Sequence, residues 1–130
     1  MKFSPPFFIA EISANHQGSF TNAKNLIKTA KKYGADAVKL QTYTPDSMTF
    51  NSNKKYFKIK NGLWKNYKLW DLYNDAKTPY EWHKKLFLYA KKIGIMIFSS
   101  PFDEDAVDLL EKLNTPFYKV SSFELTDFPL

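Results

Sequence analysis

The 130-residue chain contains no cysteine, so it has neither a disulfide framework nor a thiolate metal site, and its fold is indifferent to redox compartment. It contains no arginine either, because all 19 of its basic residues are lysine. Without a guanidinium fork, any phosphate or carboxylate it binds must be held by ammonium groups, hydroxyls or backbone N–H groups. Long apolar runs are also missing. The N-terminal run stops at Glu11, too short for a signal peptide or a membrane span, so a cytoplasmic location is expected. There is no low-complexity stretch, and no internal repeat beyond a strand–helix rhythm.

What is present suffices for one globular domain: 44% hydrophobic and 18% aromatic residues can bury a core. The net charge of +6 and a pI near 9.4 raise the question of nucleic acid. The lysines, however, fall on two separate helical segments (Lys24, Lys28, Lys31, Lys32; Lys84, Lys85, Lys91, Lys92) and in one loop from Lys54 to Lys68. That distribution describes solvated outer faces rather than one binding stripe, and no nucleic-acid motif accompanies it. Small anions are the better partners.

Four short apolar runs end in polar groups: Ile9-Ala10-Glu11, Ala37-Val38-Lys39-Leu40-Gln41, Ile97-Phe98-Ser99-Ser100 and Phe117-Tyr118-Lys119-Val120-Ser121-Ser122. A carboxylate and two ammonium groups at the tips of otherwise buried strands cost desolvation energy unless something pairs with them. Strand alternation puts Glu11 on the face of Ile9, Lys39 and Gln41 on that of Ala37, Ser100 on that of Phe98, and Lys119 with Ser121 on that of Phe117. Each strand thus aims its last polar group the same way, toward the carboxyl edge where parallel α/β sheets bind ligands.

Helical periodicity predicts a first helix over about 20–33, with Ser19 as cap, Phe20, Ala23, Ile27 and Ala30 on the buried stripe, and Gly34 as the stop. Thr78-Pro79-Tyr80-Glu81 has the spacing of a capping box with proline at the first helical position. It opens a second helix with Trp82, Leu86, Tyr89 and Ile93 on one stripe and Gly94 at its end. A third helix, about 104–113, has Asp103, Glu104 and Asp105 at its positive dipole end. Helices alternate with strands, which defines an α/β chain with about four parallel strands. Between the second strand and the second of these helices lies an insertion at about 44–77, loop or hairpin up to Gly62 and helical in its second part, and long connections of this kind often serve as lids. Since a (β/α)8 barrel takes about 250 residues, four strands are half of one, a small open sheet, or one partner of a pair that closes a barrel.

The runs Ile9 to Gly18, Gly34 to Thr42, Phe98 to Asp103 and Tyr118 to Glu124, in this order and spacing, resemble the sialic acid synthase family. The resemblance covers nearly the whole chain but corresponds to the N-terminal part of such an enzyme. It implies the N-terminal half of a (β/α)8 TIM barrel, with later strands and a small antifreeze-like domain beyond this sequence. It implies an enzyme that condenses phosphoenolpyruvate with an amino-sugar aldehyde and releases phosphate, using a divalent metal, Mn or Mg, whose histidine ligands lie on later strands. A homodimer is implied for the full-length protein. The Ser-Phe-Glu form of the fourth motif and Ser99-Ser100-Pro101 in place of Ser-Thr-Pro favour a bacterial branch over the N-acetylneuraminate synthases.

By family position, Lys39 and Lys119 hold the phosphate and carboxylate of phosphoenolpyruvate, and Ser100 and Ser122 donate to phosphate oxygens. Glu11 acts beside the aldehyde as acid, base or electrostatic stabiliser, and Gln41 bonds sugar hydroxyls. Glu124 contacts substrate or orients a lysine, while Asn15 and His16 belong to the loop after the first strand. Each has a plainer alternative: a Lys39–Glu11 structural ion pair, turn serines, and a His16 that merely fixes its loop. His83 reads as structural, and Trp64, Trp70 and Tyr73 either cover the mouth or pack the insertion. A reading of a different class is a non-catalytic anion-binding domain.

Overall fold

A computed structural model describes residues 5–130. Three strands, β1 (Ile9–Glu11), β2 (Ala37–Thr42) and β3 (Met96–Pro101), form one parallel sheet in the order β1-β2-β3. Five helices are interleaved with them: α1 (Phe20–Lys32), α2 (Pro45–Met48), α3 (Leu69–Ala76), α4 (Tyr80–Ile93) and α5 (Glu104–Lys112). The expected α/β class holds, with three strands rather than four. The fourth segment makes a single parallel bridge, Ser99 to Tyr118, and the Lys119 N–H donates to the Ser99 carbonyl at 3.2 Å. Its one described strand neighbour is β3, and Val120, Phe123, Leu125 and Phe128 are exposed beyond it. A strand bonded on one edge gains little from extending its ladder, and this one turns into a 3-10 helix at Phe123–Thr126.

The helix-facing rows of the sheet carry the core. Val38, Leu40 and Ile97 pack with Ile27 of α1, Leu86, Phe87 and Ala90 of α4, and Leu110 of α5. Full burial of each such leucine or isoleucine contributes roughly 1.5–3 kcal/mol. α1 follows the sequence reading closely, from the Ser19 hydroxyl accepting the Asn22 N–H to fully buried Ala23 and Ile27.

Both helix-to-strand turns depend on glycine. Gly34 and Gly94 adopt φ of 85° and 73°, and the residue after each bonds back into its helix, Ala35 N–H to Ala30 O and Ile95 N–H to Ala90 O. Asp36, entering β2, accepts the Phe8 N–H at 2.7 Å and so ties the start of β1 to that of β2.

The start of α4 departs from expectation. Pro79, not Thr78, is the cap, and no side chain caps the helix. The Thr78 hydroxyl bonds His16 Nε2 instead, at 3.2 Å. A buried imidazole offers a better-desolvated partner than a helix N–H that water can reach. The buried stripe is also rotated. His83, Leu86, Phe87 and Ala90 are buried, whereas Trp82, Tyr89 and Ile93 are partly buried at its margin.

The segment 44–77 contains α2, in the part read as loop or hairpin, then a 3-10 turn at Lys55–Phe57, an isolated antiparallel bridge Lys58 to Lys68, and α3. It is fastened to the sheet end by aromatics, Tyr73 of α3 standing edge-on to Tyr43 at 5.9 Å and Tyr43 to Phe102 at 5.7 Å. Trp70 Nε1 donates to Asp46 at 2.8 Å, so both aromatics serve packing of the insertion, and Trp64 remains half exposed.

Asp103 caps α5, accepting the Ala106 N–H at 2.6 Å and the Tyr80 hydroxyl at 3.2 Å. Replacing a side-chain N-cap by alanine costs about 1–2 kcal/mol. Asp103→Ala should therefore lower the unfolding free energy by about that amount in urea denaturation without changing the m-value.

Candidate active site

Register decides which polar residues meet. Glu11 pairs with Lys39 and Lys39 with Phe98, while Gln41 pairs with Ser100 one step further toward the carboxyl edge. These residues share the sheet face opposite the helices, and Phe98 is sealed beneath Phe117, with ring centroids 4.3 Å apart. A platform of aromatic rings thus lies under a row of charged and hydrogen-bonding tips.

Glu11 and Lys39 form an ion pair. The second carboxylate oxygen of Glu11 accepts both the Ser13 N–H, at 3.1 Å, and the Ser13 hydroxyl, at 2.9 Å. Ser13 achieves this with φ of 41°, a left-handed conformation that costs a non-glycine residue of order 1 kcal/mol. Strain retained at the end of β1 to hold one carboxylate is a mark of a functional position. The motif run gave Ser13 no visible role, since its contribution depends on backbone conformation.

The Lys39 side chain is 14% exposed and that of Glu11 43%. Burial, and then the charge of Lys119, hold Lys39 below the ordinary lysine pKa. Lys119 donates to the Ser121 hydroxyl at 3.1 Å. Two lysines that sense each other across the mouth of a sheet make a site whose electrostatics improve when an anion enters. Among the described residues the buried Ser100 hydroxyl has no hydrogen-bond partner, and neither has one oxygen of Glu124. An unpaired buried hydroxyl costs about 1–3 kcal/mol, which a ligand acceptor would recover.

Glu11, Lys39, Gln41, Ser100 and Lys119 are thus brought to one face and edge. Ser122 is exposed at the start of the last 3-10 turn and makes no capping bond. Asn15 is exposed and lines a shallow groove with Gln17, Asn22 and Asn25 beside α1. His16 is fully buried: its Nδ1 accepts the Gly18 N–H at 3.1 Å, leaving Nε2–H to donate to Thr78, and Trp82 packs edge-on at 5.4 Å. Burial lowers its pKa, so the ring is neutral and fixes the β1–α1 loop, the plainer of its two sequence readings. Among the described residues no group of three or more His, Asp or Glu could hold a metal ion. No described helix is long and apolar enough to cross a membrane.

A parallel α/β unit with cationic and hydroxyl tips at the carboxyl edge of its sheet has the arrangement in which parallel α/β proteins hold their ligands. The NeuB family model matches residues 26–130, and the chain belongs to that family. It is 55% identical over 121 residues to a pseudaminic acid synthase of Campylobacter jejuni, covering 93% of this chain and 35% of that protein. It is 50% identical over 126 residues to the pseudaminic acid synthase of Helicobacter pylori, covering 97% and 37%. Among solved structures, the N-acetylneuraminic acid synthetase of Leptospira borgpetersenii superposes with a TM-score of 0.79 at 25% identity, over 97% of this chain and 39% of that one. The chain therefore spans little more than a third of the length of these relatives.

The position of Lys119 beside Lys39 is testable by NMR. With Lys39 observed through its side-chain 13C signals, its titration should fall below the ordinary lysine value of 10.5 and move upward in Lys119→Met. An unchanged Lys39 titration in that variant would mean that the two ammonium groups do not interact.

Proposed function

We propose that this chain is the N-terminal barrel portion of a pseudaminic acid synthase, which condenses phosphoenolpyruvate with 2,4-diacetamido-2,4,6-trideoxy-L-altrose and releases phosphate. The observation that carries the reading is the row Glu11–Lys39 with Gln41–Ser100, set on the carboxyl edge of a chain half identical to two pseudaminic acid synthases. A cytoplasmic, homodimeric full-length enzyme with a divalent metal belongs to the same proposal. The metal's ligands would come from outside this chain.

Lys39 and Lys119 bind the phosphate and carboxylate of phosphoenolpyruvate, replacing their mutual repulsion by attraction to the ligand. The Ser100 and Ser122 hydroxyls donate to phosphate oxygens in place of arginine. Entry of the anion competes with Glu11 for Lys39. Held by Ser13, the released carboxylate stays beside the reacting centre, where it stabilises positive charge. The enol carbon attacks the aldehyde carbon, the aldehyde oxygen takes a proton, and the pyruvyl carbon becomes cationic. Water adds there, and breaking the carbon–oxygen bond to phosphate leaves the 2-keto acid. Gln41, beside Ser100, orients sugar hydroxyls, and Glu124 orients Lys119 or contacts the sugar. Asn15 and His16 act through the β1–α1 loop.

Phosphate release by the full-length protein should occur with the altrose substrate and stay at background with the aldehydes of N-acetylneuraminate and legionaminic acid synthases. Lys39→Met should reduce kcat/KM by about a hundredfold or more. The 130-residue chain alone should bind phosphoenolpyruvate without turnover. Preference for another aldehyde would reassign the substrate, and phosphoenolpyruvate binding without turnover by the full-length protein would favour a non-catalytic anion-binding domain.

A further inference from the structure

His83 is fully buried on α4, yet both of its ring nitrogens are engaged. Nδ1 lies 3.1 Å from the Pro79 carbonyl oxygen, which can only accept, so Nδ1 carries the proton. Burial lowers its pKa, the ring is neutral, and Nε2 is therefore an acceptor. The Thr42 hydroxyl, 2.8 Å away, donates to it. Thr42 Oγ1 is then left to accept the Ser99 hydroxyl at 2.7 Å. Every donor in this buried chain thus points toward the Pro79 carbonyl, and the chain joins the exit of the insertion to the carboxyl ends of β2 and β3.

Thr42 and Ser99 alternate with the pocket-facing Gln41 and Ser100 on the same two strands, so their placement sets that of their neighbours. Ser99 and Ser100 are both fully buried, but they differ in satisfaction: the chain uses the Ser99 hydroxyl, while that of Ser100 has no partner among the described residues. We propose that His83 is a positioning residue of the anion pocket, which through Thr42 and Ser99 fixes the tips of β2 and β3 so that Gln41 and the free Ser100 hydroxyl face the ligand. This rests on reading that pocket as a phosphoenolpyruvate site. His83 touches no substrate.

Two replacements separate positioning from simple packing. A glutamine can keep an acceptor near the Nε2 position and so retain the Thr42 bond. An asparagine can keep a donor near Nδ1, retaining the Pro79 bond while losing Thr42. Phosphoenolpyruvate affinity of the full-length protein is measured by calorimetry for wild type, His83→Gln and His83→Asn, with thermal midpoints recorded in parallel. His83→Asn should weaken binding about tenfold and His83→Gln less than about threefold, as expected when one buried hydrogen bond is lost or kept. If His83→Asn does not fold, Thr42→Val against Thr42→Ser gives the same comparison, with the valine variant weakened and the serine variant close to wild type. Unchanged affinity in His83→Asn or Thr42→Val, or equal weakening within each pair, would overturn the proposal. Wild-type protein that binds phosphoenolpyruvate but forms no nonulosonic acid removes the synthase reading alone. Wild-type protein that does not bind it removes both.

Discussion

The parallel register of β1, β2 and β3 is the constraint from which the site follows. Glu11, Lys39 and Phe98 occupy one row, and Gln41 and Ser100 the next. A slip of one residue in β2 would send Lys39 into the helix-packed core and Leu40 into the pocket face. The register is held from both ends: Asp36 grips Phe8 at the start of β1, and the Thr42–Ser99 hydrogen bond joins β2 to β3 at their tips. The fully buried helix-facing residues Val38 and Leu40 make any alternative pairing expensive.

Electrostatics then supply the chemistry. A carboxylate fixed by the strained Ser13, paired with a lysine that also feels a second lysine, is a balanced arrangement when empty and a receptive one for a dianion. On the proposed function, the Glu11–Lys39 ion pair is also the form from which the anion displaces Glu11. A partly exposed ion pair contributes little to stability by itself, so its retention at a strand tip is better explained by ligand chemistry.

Most of the architecture was legible in the sequence because it follows local rules: the Ser19 cap, the glycine stops at Gly34 and Gly94, and apolar runs with alternating faces. The departures arise where tertiary contacts compete. Thr78 has the pattern of a helix cap, but the buried His16 takes its hydroxyl. The Phe117 segment reads as a strand, yet with β3 as its one described neighbour it forms a single bridge. Alternation placed Glu11, Lys39, Gln41, Ser100 and Lys119 on one sheet face, and the register puts them there. It could not reveal Ser13, whose role depends on a positive φ, or the Pro79–His83–Thr42–Ser99 chain, which joins residues far apart in sequence. Proximity along the loop grouped Asn15 and His16 with the site, but the fold points one to solvent and buries the other.

On the proposed function, Lys39 and Lys119 hold the anion together, and its entry displaces Glu11 from Lys39. The most direct measurement is a crystal structure of the full-length protein with phosphoenolpyruvate bound. The account predicts ligand oxygens on both lysine Nζ atoms and the Ser100 hydroxyl, with Glu11 displaced from Lys39 but still held by Ser13. A ligand bound elsewhere, with the Glu11–Lys39 pair intact, would contradict it.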